Sequence, residues 1–249
     1  MSGSCLFDAQ VVSLAGSTAE VVQRRLARVS EAVNERYAAV LDRPWRLLEE
    51  GRLQAQARFD LAPAGPLDAS ARVVEMLCEL TLRLTPVRSR ILLSPQALTD
   101  VGRKRALQQG RRQGLFLLAQ GFGPGRDEVL TGGFAGLGGQ LWDWTERQAQ
   151  FVRAILRAGV VTMAPGEAEL HFLPGRKRRE VAAAFGVSPS VVTECLQAAG
   201  IDAFRYSVWS AASLLSGLVA SSAASASASR RASAGPKDRH PLGLSSQAT

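Results

Sequence analysis

Apolar residues run almost unbroken through LFDAQVVSLA, residues 6–15, and stop at Gly16-Ser17. This is the pattern of a buried strand ending in a turn. From Val22 the apolar positions recur every three or four residues, at Leu26, Val29, Val33, Tyr37 and Val40, the stripe of an amphipathic helix. Ser17-Thr18-Ala19-Glu20 just upstream has the form of a capping box. After Pro44 the period falls to two. Trp45 and Leu47, then Leu53, Ala55, Ala57, Phe59 and Leu61 beyond Glu50-Gly51, predict a hairpin with one buried face. A second helical stripe starts at Asp68, carries Val73, Val74, Leu77, Cys78, Leu80 and Leu84, and is broken by Pro86. VRSRILLS, residues 87–94, supplies a fourth strand.

Strand, helix, strand, strand, helix, strand is the split βαβ order, so residues 1–120 are expected to form a ferredoxin-like (βαββαβ) domain within an α+β fold. Residues 99–114 add a very basic helix. The stretch 121–139 is so rich in glycine that regular structure throughout is not expected, and it reads as a linker. Helical spacing resumes over 140–218, apart from a small hairpin in VVTMAPGEAELHFLPG, residues 160–175, and predicts a second, α-helical domain. Ser and Ala then dominate 219–249, with Arg230, Arg231, Lys237 and Arg239, which predicts a disordered basic tail.

A chain of 249 residues accommodates two such domains. With 46% apolar and 21% charged residues and a mean hydropathy of +0.02, it has the composition of a soluble globular protein. No apolar run approaches the ~20 residues of a membrane span, and the start lacks a basic region followed by an apolar core, so a cytoplasmic protein without membrane contact is expected. Cys5, Cys78 and Cys195 are odd in number and widely spaced, which suits reduced thiols. Two histidines, His171 and His240, and no paired cysteines leave a metal almost no ligands, so neither metal nor cofactor is expected.

The net charge of +8 favours anionic partners, nucleic acid among them. The excess is spread along the chain: residues 1–140 hold 18 basic and 14 acidic side chains, 141–218 hold 8 and 7, and 219–249 hold 4 and 1.

The sharpest local signal is RREVAAAFGVSPSVVTECLQAAGIDAF, residues 178–204. A short helix ends at Gly186, and a second begins after Ser188 as N-cap with Pro189 as its first residue. Ala182 and Ala183 permit close approach, and Val181, Phe185, Val187, Val192, Cys195, Leu196 and Ala199 form the expected shared core. A helix-turn-helix uses its second helix in the major groove, where early residues reach base edges. Ser188, Ser190, Thr193, Glu194 and Gln197 are the candidate DNA-facing residues, with Ser190, Thr193 and Gln197 the base readers and Glu194 suited only to accept from cytosine. Arg176, Lys177, Arg178 and Arg179 precede the first helix and are placed to grip the phosphate backbone.

Glu180, Ala182, Ala183, Gly186, Val187, Ser188 and Val192 give this segment a form that resembles the helix-turn-helix of sigma-factor region 4 and response regulators. Upstream, TERQAQFVRAIL, residues 145–156, is similar to the first helix of that domain. The resemblance implies a transcriptional regulator with DNA as partner. A homodimer would suit it, because one short recognition helix buries little surface. An effector ligand is left open.

More widely, the strand-turn SLAGST at 13–18, NERY at 34–37 and the Pro-Val-x-x-Arg run ending at Arg90 resemble SatD-like proteins, which pair a cyclase-like ferredoxin-type domain with a C-terminal helix-turn-helix. That family carries an aspartate before the Gly-Ser turn and Gly-Asp-Glu-Phe in the hairpin. The matching positions here are Ser13 and, after Gly51, Arg52 and Leu53. Hard cations need charged oxygen ligands, so the resemblance implies a degenerate, non-enzymatic domain. Two other readings compete: a nucleotide-acting phosphotransferase using displaced acids such as Asp8, Glu49 or Glu50, and a helical module that binds protein rather than DNA. GFGPGR at 121–126 and GGFAGLGG at 132–139 match no phosphate-binding loop, and no nucleophile–His set is present.

Overall fold

The computed structural model describes residues 4–60, 65–157, 159–163, 167 and 169–233. Among them, strand β1 (Ser4–Ser13) leads through a turn into helix α1 (Ala19–Tyr37). The hairpin β2 (Leu41–Leu48) and β3 (Arg52–Arg58), helix α2 (Pro66–Leu84) and strand β4 (Arg88–Ser94) follow. Thr18 rather than Ser17 caps α1, its side chain accepting from the Val21 N–H at 3.4 Å. Helix α3 (Asp100–Gln113) starts at the N-cap Thr99 and ends at Gly114 in the left-handed conformation, and β5 (Leu117–Ala119) completes the sheet.

The protein is α+β, with a mixed five-stranded sheet of order β2-β3-β1-β4-β5. β1 lies antiparallel between β3 and β4, while β5 runs parallel to β4. The first four strands and two helices are compatible with the expected ferredoxin-like arrangement. Alternation sorts the residues. Cys5, Phe7 and Ala9 of β1 and Leu53, Ala55 and Ala57 of β3 join Val22, Leu26 and Leu77 in the main core. Leu92 and Leu118 face the other way and pack with Ala106 of α3 in a separate small cluster.

Helix α4 (Arg126–Asp143) occupies most of the segment read as a linker. The glycines there allow close packing. A Cβ on Gly138 would lie 2.2 Å from Cβ of Phe116, and one on Gly133 would lie 2.4 Å from a methyl of Leu214. Leu130, Phe134, Leu137 and Leu141 supply the buried stripe, and the cost of glycine in a helix is offset by that contact.

Helices α5 (Glu146–Ile155), α6 (Arg178–Phe185), α7 (Pro189–Ala198) and α8 (Ile201–Ser233) make up the C-terminal half, with the expected two-stranded hairpin β6 (Val161–Thr162) and β7 (His171–Phe172) between α5 and α6. These helices are not separate from the sheet layer. α8 packs along α2 and α4, α5 and β6 also touch α2, and one continuous apolar core runs from Cys5 to Leu215. α2 is consequently covered on both sides. Every residue from Asp68 to Leu84 except Arg72 and Arg83 is buried, although its sequence reads as amphipathic.

Residues 219–233, expected as the start of a disordered tail, continue α8. Alanine has the highest helix propensity, and the packed first turns have already met the cost of nucleation. Residues 234–249, with Lys237 and Arg239, lie outside the described residues. No single helix among the described residues is long and apolar enough to cross a membrane.

Candidate nucleic-acid interface

Thr145 opens α5 with a complete capping box: its hydroxyl accepts from the Gln148 N–H at 3.3 Å, and the Gln148 side chain accepts from the Thr145 N–H at 2.8 Å. The helix then buries Ala149, Phe151, Val152 and Ile155. α6 has only eight residues and stops at Gly186, whose φ of +64° is open to glycine at no steric cost. The Val187 N–H donates to the Ala182 carbonyl at 3.0 Å across this turn. Ser188 then caps α7, accepting from the Val191 N–H at 3.4 Å with Pro189 at the first helical position. The two helices meet at 108°.

Val181, Ala182, Val192, Leu196 and Ala199 are buried between them and against α5. Trp144 fixes the far end of α7, its indole N–H donating to the Ala199 carbonyl at 2.8 Å while its ring meets Phe204 edge-on at 5.0 Å. Phe185, expected in the shared core, is 40% exposed. It leans edge-on over Phe151 at 5.0 Å and borders a shallow groove of about 480 Å³ with Arg147, Gln150 and Val187. The helix runs out at Phe185, so its side chain falls at the edge of the contact.

On α7, Ser190, Glu194 and Gln197 are exposed and spaced i, i+4, i+7, one stripe facing away from the core. Thr193 is half-buried, and its hydroxyl donates to the Pro189 carbonyl at 3.0 Å. Arg178 reaches toward that hydroxyl at 3.5 Å. Ser188 keeps its hydroxyl on the helix cap. Of the basic run, Arg176 is half-buried and paired with Glu180 at 3.3 Å. Lys177 and Arg179 are exposed and make no ion pair among the described residues. Arg147, which the sequence pattern did not single out, projects from α5 with its guanidinium 5.5 Å from the Phe151 ring centre. Its signal is only its place one residue past a capped start.

The sheet presents a second polar region. Asp8 on β1 is clasped by Arg52 on β3: Nε lies 2.9 Å from both carboxylate oxygens, and a second guanidinium nitrogen bonds Oδ2. Glu49 lines a neighbouring cavity of about 910 Å³ together with Arg52, Arg103 and Lys104. No group of three or more His, Cys, Asp or Glu side chains among the described residues is placed to hold a metal ion. Ser13, Arg52 and Leu53 offer no carboxylate, and Asp8 is already occupied by a guanidinium, so the residues present do not fit a divalent metal centre.

No family model matches the chain, and no curated protein matches it significantly. Two solved structures are distantly similar. A bacterial light-regulated adenylyl cyclase shares 7% identity at a TM-score of 0.30, over 47% of this chain and 74% of that one. A regulator of polyketide synthase expression from Bifidobacterium adolescentis shares 14% identity at a TM-score of 0.19, over 86% of this chain and 80% of that one. At these scores neither bears on fold or function.

Proposed function

We propose that the chain is a DNA-binding transcriptional regulator in which α6 and α7 act as a helix-turn-helix, with α5 as the supporting helix. One observation carries this reading: the exposed stripe Ser190, Glu194 and Gln197 lies on a capped helix set at 108° to α6, beside Lys177, Arg178 and Arg179. Gln197 suits bidentate contact with adenine, and Ser190 suits several bases. The exposed cations supply the phosphate contacts that position a helix without reading sequence. Thr193 is reassigned from base reader to support, because its hydroxyl serves Pro189. The sheet layer is read as a non-catalytic sensor or dimerisation module of a cytoplasmic protein, since Arg52 neutralises Asp8, the acid best placed on that face.

The test is selection of bound sequences from random duplex DNA by the full chain, repeated with Ser190→Ala and Gln197→Ala combined. A defined motif that the double variant relaxes supports base readout by α7. Enrichment of no motif by the unmodified chain overturns it.

The groove beside Phe185 favours a second reading, in which the same helices hold another protein. In that case DNA affinity is weak, salt-sensitive and indifferent to Ser190 and Gln197.

A further inference from the structure

β5 is an edge strand of the sheet, and a cavity of about 580 Å³ opens beside it between α3 and α4. Each helix is anchored near the strand by its own contact. α3 is anchored at Gly110, where a Cβ would lie 2.3 Å from a Leu118 methyl and 2.8 Å from Cδ of Arg90. α4 is anchored by Thr131, whose hydroxyl accepts from the Ala119 N–H at 3.0 Å. Ala106, Leu115 and Leu118, from the small apolar cluster, give the cavity an apolar side.

The polar side carries one sign of charge. Asp127 and Glu128 at the start of α4 line it together with the amides of Gln109, Gln113 and Gln120, and no Lys, Arg or His does so, in a chain of net charge +8. The Asp127 oxygens accept from the Gly121 and Phe122 N–H groups at 3.0 and 2.9 Å, which holds the loop but leaves the charge in place. Gln120 supplies an independent sign. Its Oε1 is shut off from water and has no hydrogen-bond partner. A buried acceptor without a donor is costly, and it marks the place of a missing partner. The last torsion of a Gln side chain is broad, so a small turn presents that oxygen to the cavity that Gln120 lines.

We propose that this cavity binds a small organic ammonium compound, its apolar body against Leu115 and Leu118 and its charged nitrogen donating to Gln120 and neutralising Asp127 and Glu128. The volume suits a ligand of that kind. An ammonium group offers donors and no acceptor, which matches carboxylates and an orphaned amide oxygen, whereas phosphates and carboxylates are repelled. The site is independent of the DNA-binding reading, since none of its lining residues belongs to α5, α6 or α7.

The test is thermal unfolding of the full chain at pH 7, titrated with 2-phenylethylammonium, 2-phenylethanol and 3-phenylpropionate at matched ionic strength. The expected result is a rise in Tm with the ammonium beyond that with the alcohol, and none with the anion. Gln120→Leu is expected to weaken the apparent ammonium affinity at least about tenfold, the loss of one charge-assisted hydrogen bond. It is also expected to raise the Tm without ligand by removing the orphaned acceptor, where a merely structural Gln120 would give a fall. Glu128→Gln, at an exposed position, is expected to weaken the ammonium about threefold to fivefold and to leave the alcohol unchanged. It decides the matter should Gln120→Leu fail to fold. An ammonium shift no larger than that of the alcohol, or one kept in full by Glu128→Gln, overturns the proposal.

Discussion

Arg52 and Asp8 are diagonal neighbours on adjacent antiparallel strands: Asp8 lies opposite Gln54, two residues along β3 from Arg52. The guanidinium therefore reaches both carboxylate oxygens without leaving the sheet face. Both side chains are largely buried, at 23% and 13% exposure, so removing one strands the other. Arg52→Ala and Asp8→Ala are each expected to cost about 1–3 kcal/mol in urea unfolding. The double variant is expected to cost less than the sum, with a coupling of about 1–2 kcal/mol. Additive losses would mean that the pair contributes nothing as a pair.

The glycines of α4 separate by their surroundings. A methyl at Gly138 meets Phe116, whereas a methyl at Gly136 meets nothing within 4 Å. Gly138→Ala is expected to destabilise by about 1–3 kcal/mol through overpacking. Gly136→Ala is expected to stabilise by roughly 0.5–1 kcal/mol through helix propensity. Chemical denaturation of the two variants reads the contrast directly, and equal effects would remove the packing account of α4.

Glu75 lies inside the protein, where its carboxylate accepts from the Val160 and Val161 N–H groups at 2.6 and 2.8 Å. Burial pushes its pKa above the ordinary 4.5, against the pull of the two N–H groups, Arg72 and Arg36. A raised folded-state pKa contributes stability that is fully present below about 4.5 and is lost as pH rises through the folded value. Glu75→Gln keeps an acceptor oxygen but cannot ionise. Its stability relative to the unmodified chain is therefore expected to improve as pH is raised from 4.5 toward neutrality, as followed by thermal unfolding. A difference that stays constant over that range would contradict the assignment.

The three thiols differ in accessibility. Burial pushes Cys5 up to about 12 and Cys78 well above its ordinary range, while Cys195 is partly exposed and is raised by burial against the pull of Arg147. With an aromatic disulfide reagent at pH 8, the native protein is expected to release no more than the equivalent of Cys195 quickly. Cys5 and Cys78 are expected to react only as the protein opens, since the thiolate is the nucleophile. Rapid reaction of all three would contradict the buried positions.

Much of the sheet layer was legible because its periods are clean. Alternation from Leu53 to Phe59 marks β3, and the three-and-four spacing from Val22 to Tyr37 marks α1. The turn at Gly186 and the cap at Ser188 were equally readable, since each depends on one residue type. Elements whose character comes from a distant partner were not. α4 reads as a linker until Phe116 and Leu214 are placed against its glycines. α2 reads as amphipathic until α8 covers its second side. The half-burial of Thr193 and exposure of Phe185 follow from where short helices stop, which periodicity does not specify.

Because α2 is the shared floor of both halves, the helices that carry α6 and α7 are not a detachable cassette. A fragment beginning at residue 140 would expose the apolar faces that α5 and α8 turn toward α2, and a fragment ending before α4 would strip α2 itself. Grafting the helical half onto another sensor, in the laboratory or by gene shuffling, would therefore require α2 to travel with it. Refinement of this protein must proceed by point changes on a single scaffold rather than by exchange of modules.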